Sequence, residues 1–147
     1  NWINGSDWAI GRIGLKQWRS THADGPVADD PWDKYWSGYC QAFASNAWRM
    51  AGGGDPLPGG SATAEWNNYA ALGRVDTGHR PPRGAMVYWN IAPYGHVAIS
   101  LGNWMVVGTE GDETKTWPIA NRSVSHFANF RGWVMPQASI QYNTLGW

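Results

Sequence analysis

Two side chains in this sequence, those of Cys40 and His96, can together carry out nucleophilic catalysis. Cys40 is the single cysteine among 147 residues, and His96 follows a turn-forming Pro-Tyr-Gly segment at 93–95. A thiolate attacks carbonyl carbons readily, and an imidazole can take the thiol proton and deliver it to a leaving group. The pair therefore indicates hydrolysis of an amide or an ester through a thiol nucleophile.

The surroundings of Cys40 favour a charged sulfur. Apolar residues recur at three- and four-residue steps, which predicts a helix over 39–50 with Cys40 in its first turn. Backbone N–H groups and the positive end of the helix dipole stabilise an anion there, so we expect a lowered thiol pKa. The alternative is an unreactive, buried thiol, which is the usual state of a free cysteine.

His96 opens a predicted strand over 96–101, in which alternate residues share a face. The small Ala98 and Ser100 lie on the face of His96 and leave room for the end of a helix, whereas an apolar set occupies the opposite face. We therefore expect the end of the Cys40 helix beside this imidazole. The alternative for a histidine is a hydrogen-bonded surface position, which is our interpretation of the other three, His22, His79 and His126.

Three segments together resemble the CHAP domains and the related NlpC-like cysteine peptidases, which are papain-like cell-wall hydrolases. They are GYCQAF at 38–43, PRGAMVYW at 82–89 and YGHVAI at 94–99, and the resemblance covers about residues 35–110. It implies that Cys40 attacks an amide carbonyl, that His96 transfers the proton, and that a third polar residue orients the imidazole. The backbone N–H of Cys40, at the helix start, is a natural donor to the oxyanion of the tetrahedral intermediate.

The residue that orients His96 depends on the hairpin after its strand. With a two-residue turn at 102–103, His96 faces Thr109; with a three-residue loop at 102–104, it faces Glu110. The family often has Glu or Asn on this following strand, and a carboxylate stabilises an imidazolium better than a hydroxyl does, so we favour Glu110. The NlpC-like pattern has its third residue near Gly108, which has no side chain, and this favours the CHAP-like assignment.

Aromatic side chains near the two reactive residues predict a substrate groove. The chain contains 12 Trp, and aromatic residues make up 14% of it, which exceeds the needs of one small core. Some of these rings should be half exposed, although a core rich in Trp is the alternative. The residues expected to line the groove, because they lie beside Cys40 and His96 in the sequence, are Trp36, Tyr39, Trp89 and Tyr94.

Nothing in the sequence predicts a cofactor or a metal ion. Some phage CHAP domains carry calcium in the loop before the nucleophile, and Asp33 and Tyr35 match part of that spacing, but other expected ligands are missing. No zinc-ligand spacing and no phosphate-binding glycine motif occur. We therefore expect catalysis without metal or cofactor.

The order of the predicted elements indicates an α+β domain. Helices are predicted over 10–19, 39–50 and about 61–72, the last capped by Ser61 or Thr63 and closed by Gly73. After residue 80 the apolar period changes to two, which predicts strands at 85–89, 96–101, 104–109, 116–119 and 130–135. The expected fold is papain-like, with N-terminal helices packed on a C-terminal antiparallel sheet of about five strands, in a single domain over residues 1–147.

Composition and charge restrict the partners. The formal net charge is zero, which argues against nucleic acid, and no apolar run is long enough to span a membrane. The chain begins at Asn1 without Met, which we interpret as a mature or trimmed product. We expect a monomer that is secreted or delivered to the bacterial cell wall, because the expected substrate lies outside the cytoplasmic membrane.

These observations predict a cysteine amidase or endopeptidase that cuts peptide or amide bonds of peptidoglycan, with the stem peptide or a cross-bridge as its partner. Two alternatives stay open. One is a Trp-rich module that binds glycan or peptide, in which Cys40 and His96 only pack. The other is a papain-like effector that acts on a different amide or ester. The bond that is cut does not follow from the spacing of the residues.

Overall fold

The computed structural model describes residues 3–13, 17–19, 33–35, 40–50, 60–110, 113–118 and 129–135. Helices come mainly from the N-terminal half and a sheet from the C-terminal half. The helices are α1 (Ile3–Ile10), α2 (Cys40–Met50) and α3 (Ala62–Ala71). The strands are β1 (Gln17–Arg19), β2 (Asp33–Tyr35), β3 (Met86–Trp89), β4 (His96–Gly102), β5 (Met105–Glu110), β6 (Glu113–Pro118) and β7 (Phe130–Val134).

The five C-terminal strands form one antiparallel sheet in the order β6-β5-β4-β3-β7. β4, which begins with His96, lies at its centre. The described helices pack on one face of this sheet, so the predicted α+β class, with helices on an antiparallel sheet of about five strands, is confirmed. In addition, β1 and β2 pair as a separate two-stranded ribbon, which the sequence analysis did not predict.

The prediction of a helix over 10–19 is wrong. α1 ends at Ile10, the N–H of Gly11 donates to the carbonyl of Asp7 at 3.1 Å, and residues 17–19 form β1. The predicted helix would have contained glycines at positions 11 and 14, and glycine disfavours a helix by about 1 kcal/mol relative to alanine. β1 is extended because it pairs with β2, a non-local contact that sequence periodicity does not indicate.

The two faces of the sheet bury different sets of residues. The helix-covered face carries alternate residues of β3 and β4, and α2 packs there through its apolar side; the set includes Phe43, Trp48, Tyr88, Val97 and Ile99. The opposite face carries the residues in between, in a second buried cluster that includes Val87, Trp89, Ala98, Val106 and Trp133. Period-two burial on both faces positions successive side chains of β4 on opposite sides.

Among the residues that the structure describes, four tryptophans are core residues and one is exposed. Trp48, Trp66, Trp89 and Trp133 are buried, whereas Trp104 is 41% exposed at the β4–β5 turn. The buried indole of Trp48 donates to the Gly84 carbonyl at 3.2 Å, which joins α2 to the loop before β3. For these four side chains the Trp-rich core is therefore the correct alternative.

α3 begins and ends as its sequence predicts. The Oγ of Ser61 accepts a hydrogen bond from the N–H of Ala64 at 3.1 Å, so Ser61 is the cap, and Thr63 lies inside the helix. At the other end Gly73 has φ +68°, the left-handed conformation that glycine adopts without strain. Within the described segments, every helix is too short or too polar to cross a membrane.

Candidate functional site

Cys40 lies where α2 meets the start of β4. It is the first residue of α2, it is partly exposed, and it packs against the helix-side core. The backbone N–H of Val97 donates a hydrogen bond to its sulfur. Because Val97 directly follows His96, this hydrogen bond holds the sulfur against the peptide that joins His96 to Val97.

The electrostatic surroundings of Cys40 differ from the expectation. Burial is the largest influence and raises the pKa of the Cys40 thiol; the N–H groups of Val97, Gln41 and Cys40 itself act in the opposite direction, and the charge of Glu65 raises the pKa further. The predicted lowering of the thiol pKa is therefore wrong. The loss of solvation and a nearby carboxylate outweigh the helix-start N–H groups, so the resting sulfur is a neutral thiol at neutral pH.

His96 is held by a tight turn that packs on the start of α3. The Tyr94 carbonyl accepts a hydrogen bond from the N–H of Thr63 at 2.9 Å, and the N–H of Gly95 donates to the Ile91 carbonyl at 2.6 Å. Gly95 has φ +76°, and a Cβ there would lie 2.5 Å from the Thr63 Oγ1. Only glycine fits between α3 and the first residue of β4.

The imidazole of His96 packs against an indole. Trp89 is its cross-strand partner on β3, and the two ring centroids are 5.6 Å apart. Burial lowers the pKa of His96 to about 4. At neutral pH the ring is therefore uncharged, which is the form that can accept a proton from a thiol.

The expectation that the Cys40 helix approaches the face of Ala98 and Ser100 is wrong. α2 packs on the face of Val97 and Ile99, because these larger side chains bury more apolar area. Ala98 belongs to the opposite cluster. Cys40 thus contacts the first peptide of β4 from the helix side, while the His96 ring packs with Trp89 on the other side.

The β4–β5 register places Glu110 across from His96. Ile99 pairs with Val107 and Ser100 with Val106, and a Cβ on Gly108 would lie 2.8 Å from the Cβ of Ala98. Continued by two residues, this register sets the backbone of Glu110 opposite His96. It sets the buried Thr109 opposite Val97, on the other face, so Thr109 does not orient His96.

The turn explains this register. Asn103 and Trp104 have φ of +54° and +58°, the left-handed pair that a type I′ turn requires, and Gly102, with φ +78°, pairs with Met105 after a register shift. The irregularity at Gly102 adds one residue to β4. The pairing of β4 with β5 therefore follows the alternative with the three-residue loop, in which His96 faces Glu110.

The structure gives different results for the four residues that were predicted to line a groove. Trp36 and Tyr39 lie outside the described residues. Trp89 is 1% exposed and packs between His96 and Phe130, so it belongs to the core and does not form an open wall. Tyr94 is 69% exposed on the turn before His96, where it can contact a ligand.

Metal ligation finds no support in the part of the chain that the structure describes. No group of three or more His, Cys, Asp or Glu side chains there could hold an ion. Asp33 and Tyr35 are the two ends of β2. Of the other histidines, His79 is exposed and pairs with Asp76 at 2.8 Å, as expected for a surface residue, and the remaining two lie outside the described residues, His22 and His126.

A polar cluster that sequence patterns did not predict lies beneath Cys40. Glu65 is fully buried in the first turn of α3, where it accepts hydrogen bonds from the Tyr88 hydroxyl and from the Gln41 side chain. An acidic residue in the first turn of a helix is usually exposed and complements the dipole. No local signal distinguishes this carboxylate from such a residue, because its partners lie 24 and 23 residues away in the sequence.

Comparisons with known proteins identify the family of the chain. The sequence pattern of the CHAP domain matches residues 29–103, which is half of the chain. The chain is also similar to the crystal structure of the P60 domain from M. avium subspecies paratuberculosis antigen MAP1204, with a TM-score of 0.46 and 16% identity over 89% of this chain and 95% of that one. A search of curated proteins found no match. The chain belongs to the CHAP domain family, whose members are amidases and peptidases of the peptidoglycan-hydrolase type.

Proposed function

We propose that this protein hydrolyses peptide or amide bonds of bacterial peptidoglycan, with Cys40 as the nucleophile and His96 as the general base. The observation that carries the proposal is the hydrogen bond from the Val97 N–H to the Cys40 sulfur, which holds the thiol beside the histidine that begins β4. Family membership supplies the reaction class. The neutral imidazole and the neutral thiol are the protonation states from which the reaction starts.

The first step transfers one proton and forms one bond. His96 is the first residue of β4 and its ring packs against Trp89, so the proposed step requires the imidazole to turn from the indole toward the sulfur. The imidazole takes the thiol proton while the sulfur attacks the carbonyl carbon. The oxyanion that forms accepts a hydrogen bond from the backbone N–H of Cys40, an interaction worth a few kcal/mol to the transition state.

The second half of the reaction returns the site to its starting state. The imidazolium gives its proton to the leaving amine, the C–N bond breaks, and a thioester remains on Cys40. Water, deprotonated by His96, then hydrolyses the thioester to a carboxylic acid and regenerates the thiol. Glu110 stabilises the imidazolium from the following strand, and the exposed ring of Tyr94 contacts the substrate beside the turn.

We infer that the protein acts outside the cytoplasmic membrane, where peptidoglycan lies. Clearing of purified bacterial cell walls, followed as loss of turbidity, tests the function. The wild-type protein should clear the walls and Cys40→Ser should not, because a hydroxyl at this position lacks the acidity of a thiol. Equal clearing by both proteins would exclude Cys40 as the nucleophile, whereas wall binding without clearing would favour the binding module.

A further inference from the structure

A buried carboxylate connects three elements directly behind the nucleophile. Glu65 of α3 is 0% exposed. Its Oε2 accepts a hydrogen bond from Gln41 Nε2 of α2 at 2.7 Å, and its Oε1 accepts one from the Tyr88 hydroxyl of β3. Gln41 follows Cys40 in the chain, so the carboxylate is fastened to the first turn of the helix that carries the sulfur.

Burial of this charge is costly, and hydrogen bonds from Gln41 and Tyr88 offset part of that cost. An ionised carboxylate that leaves water loses several kcal/mol of solvation unless hydrogen bonds replace it. Gln41 and Tyr88 supply two such hydrogen bonds, and Glu65 lies in the first turn of α3, near the positive end of the helix dipole. A neutral glutamine could join the same partners, so the negative charge itself requires a reason.

The negative charge of Glu65 acts on the sulfur of Cys40. Glu65 raises the pKa of Cys40, and burial together with Glu65 raises the pKa of Tyr88 well above its usual value. Cys40 in turn contributes to the shift at Tyr88, so the three groups share one weakly solvated region. Among the described residues, the titratable groups that neighbouring elements bring to this region are Glu65 and Tyr69 of α3 and Tyr88 of β3.

We propose that Glu65 is a positioning residue of the Cys40 site, which fixes the first turn of α2 through Gln41 and holds a buried negative charge near the sulfur. The inference rests on the proposed role of Cys40 as nucleophile. Through the tether to Gln41, the N–H groups of Cys40 and Gln41 stay directed at the sulfur. Through its charge, Glu65 prevents a free thiolate from forming without substrate, which limits oxidation and adventitious alkylation.

The test of the charge is the pH dependence of alkylation by iodoacetamide, which reports only on Cys40 because the chain has no other cysteine. Rate constants measured between about pH 6 and pH 10.5 give the midpoint for thiolate formation. In Glu65→Gln the midpoint should fall by at least half a pH unit, and the rate at pH 7.5 should rise about threefold or more. An unchanged midpoint in a folded Glu65→Gln protein overturns the electrostatic role, because a residue that only supports the fold would not move it.

Tyr88→Phe is the matched control for packing. It removes one hydrogen bond from the same cluster but leaves the carboxylate, whose charge is then less neutralised, so the midpoint should rise. A midpoint that stays or falls in Tyr88→Phe overturns the electrostatic role. If circular dichroism shows that Glu65→Gln does not fold, Tyr88→Phe alone tests the electrostatic role of Glu65.

The tether has its own readout. Gln41→Met releases the first turn of α2 from Glu65 while the charge stays, so wall clearing should fall at least fivefold, with a smaller change of alkylation midpoint than in Glu65→Gln. Clearing at the wild-type rate would overturn the proposal that the Gln41–Glu65 hydrogen bond positions the first turn of α2. The two proposals fail separately: a wild-type protein that does not clear walls overturns the function, whereas the alkylation midpoints still test Glu65.

Discussion

The N–H of Val97 donates a hydrogen bond to the sulfur of Cys40, and this bond joins the first residue of α2 to the first peptide of the central strand. It links the helix that carries the proposed nucleophile to the strand that begins with the proposed base. Because β4 is paired on both sides by β3 and β5, its position is fixed by the sheet. The geometry of the candidate site therefore depends on how the turn before β4 and the start of α2 are held.

Gly95→Ala should displace His96. A Cβ at this position would lie 2.5 Å from the Thr63 Oγ1, and φ is +76°, so the turn must move away from α3. We expect a loss of about 2 kcal/mol in the free energy of unfolding and at least a tenfold loss of wall clearing. Urea denaturation and turbidity measure the two effects.

Gly73→Ala is the matched control for that substitution. Gly73 also has a positive φ, +68°, but a Cβ there would meet no atom within 4 Å. It should lose about 1 kcal/mol of stability and keep its activity. Equal losses of activity in the two variants would show that the turn before His96 has no special role.

The protein should become less stable between about pH 6.5 and pH 4 because of His96. Burial lowers the folded-state pKa to about 4, whereas the unfolded chain binds this proton near pH 6.5. Between these values the unfolded state binds more protons, so the free energy of unfolding falls as the pH falls, by about 2 kcal/mol for a partly exposed ring.

Urea denaturation at pH 7 and pH 4.5 measures this loss. In His96→Asn the decrease in the free energy of unfolding between pH 7 and pH 4.5 should be smaller by about 2 kcal/mol. In His79→Asn, which changes an exposed histidine, the decrease should be as large as in the wild type. The same pH dependence in wild type and His96→Asn would contradict a buried, neutral imidazole.

Glu110→Gln should reduce wall clearing about ten- to a hundredfold, because an amide stabilises the imidazolium less than a carboxylate does. Thr109→Val should clear walls at nearly the wild-type rate, since the register places Thr109 opposite Val97. Turbidity assays on both variants test the assignment. A large loss in Thr109→Val with none in Glu110→Gln would reverse it.

The resting thiol should react slowly with iodoacetamide at pH 7. Burial and Glu65 raise the pKa of Cys40, so its alkylation midpoint should exceed the value of about 8.5 for a free cysteine side chain. The measurement compares the protein with N-acetylcysteine at several pH values. Labelling faster than this reference below pH 7 would mean that Cys40 and His96 already form a thiolate–imidazolium pair without substrate.

Local patterns predicted much of the fold. The period-two apolar residues predicted β3, β4, β5, β6 and β7, and the three- and four-residue steps predicted α2. The cap of α3 was predicted as Ser61 or Thr63, and it is Ser61. The length of the β4–β5 turn allowed two registers of β5, and the bulge at Gly102 determines which of them forms. Periodicity does not report such an irregularity.

What the sequence did not predict depends on contacts between distant segments. β1 is extended because β2 pairs with it. Position in a helix suggested a charged Cys40, but the side chains that bury the sulfur come from elsewhere in the chain, and Glu65 adds an opposing charge. The cluster of Gln41, Glu65 and Tyr88 exists only after α2, α3 and β3 have packed, so residue spacing could not reveal it.

The most direct test of the central claim is the release of amino groups from purified peptidoglycan. Hydrolysis of an amide produces one new amino group for each bond cut, without new reducing sugar ends. The wild-type protein should release amino groups steadily, and Cys40→Ala and His96→Ala should each retain less than roughly one-thousandth of that rate. Undiminished release by either variant, or release of reducing ends alone, would contradict a Cys40–His96 amide hydrolase.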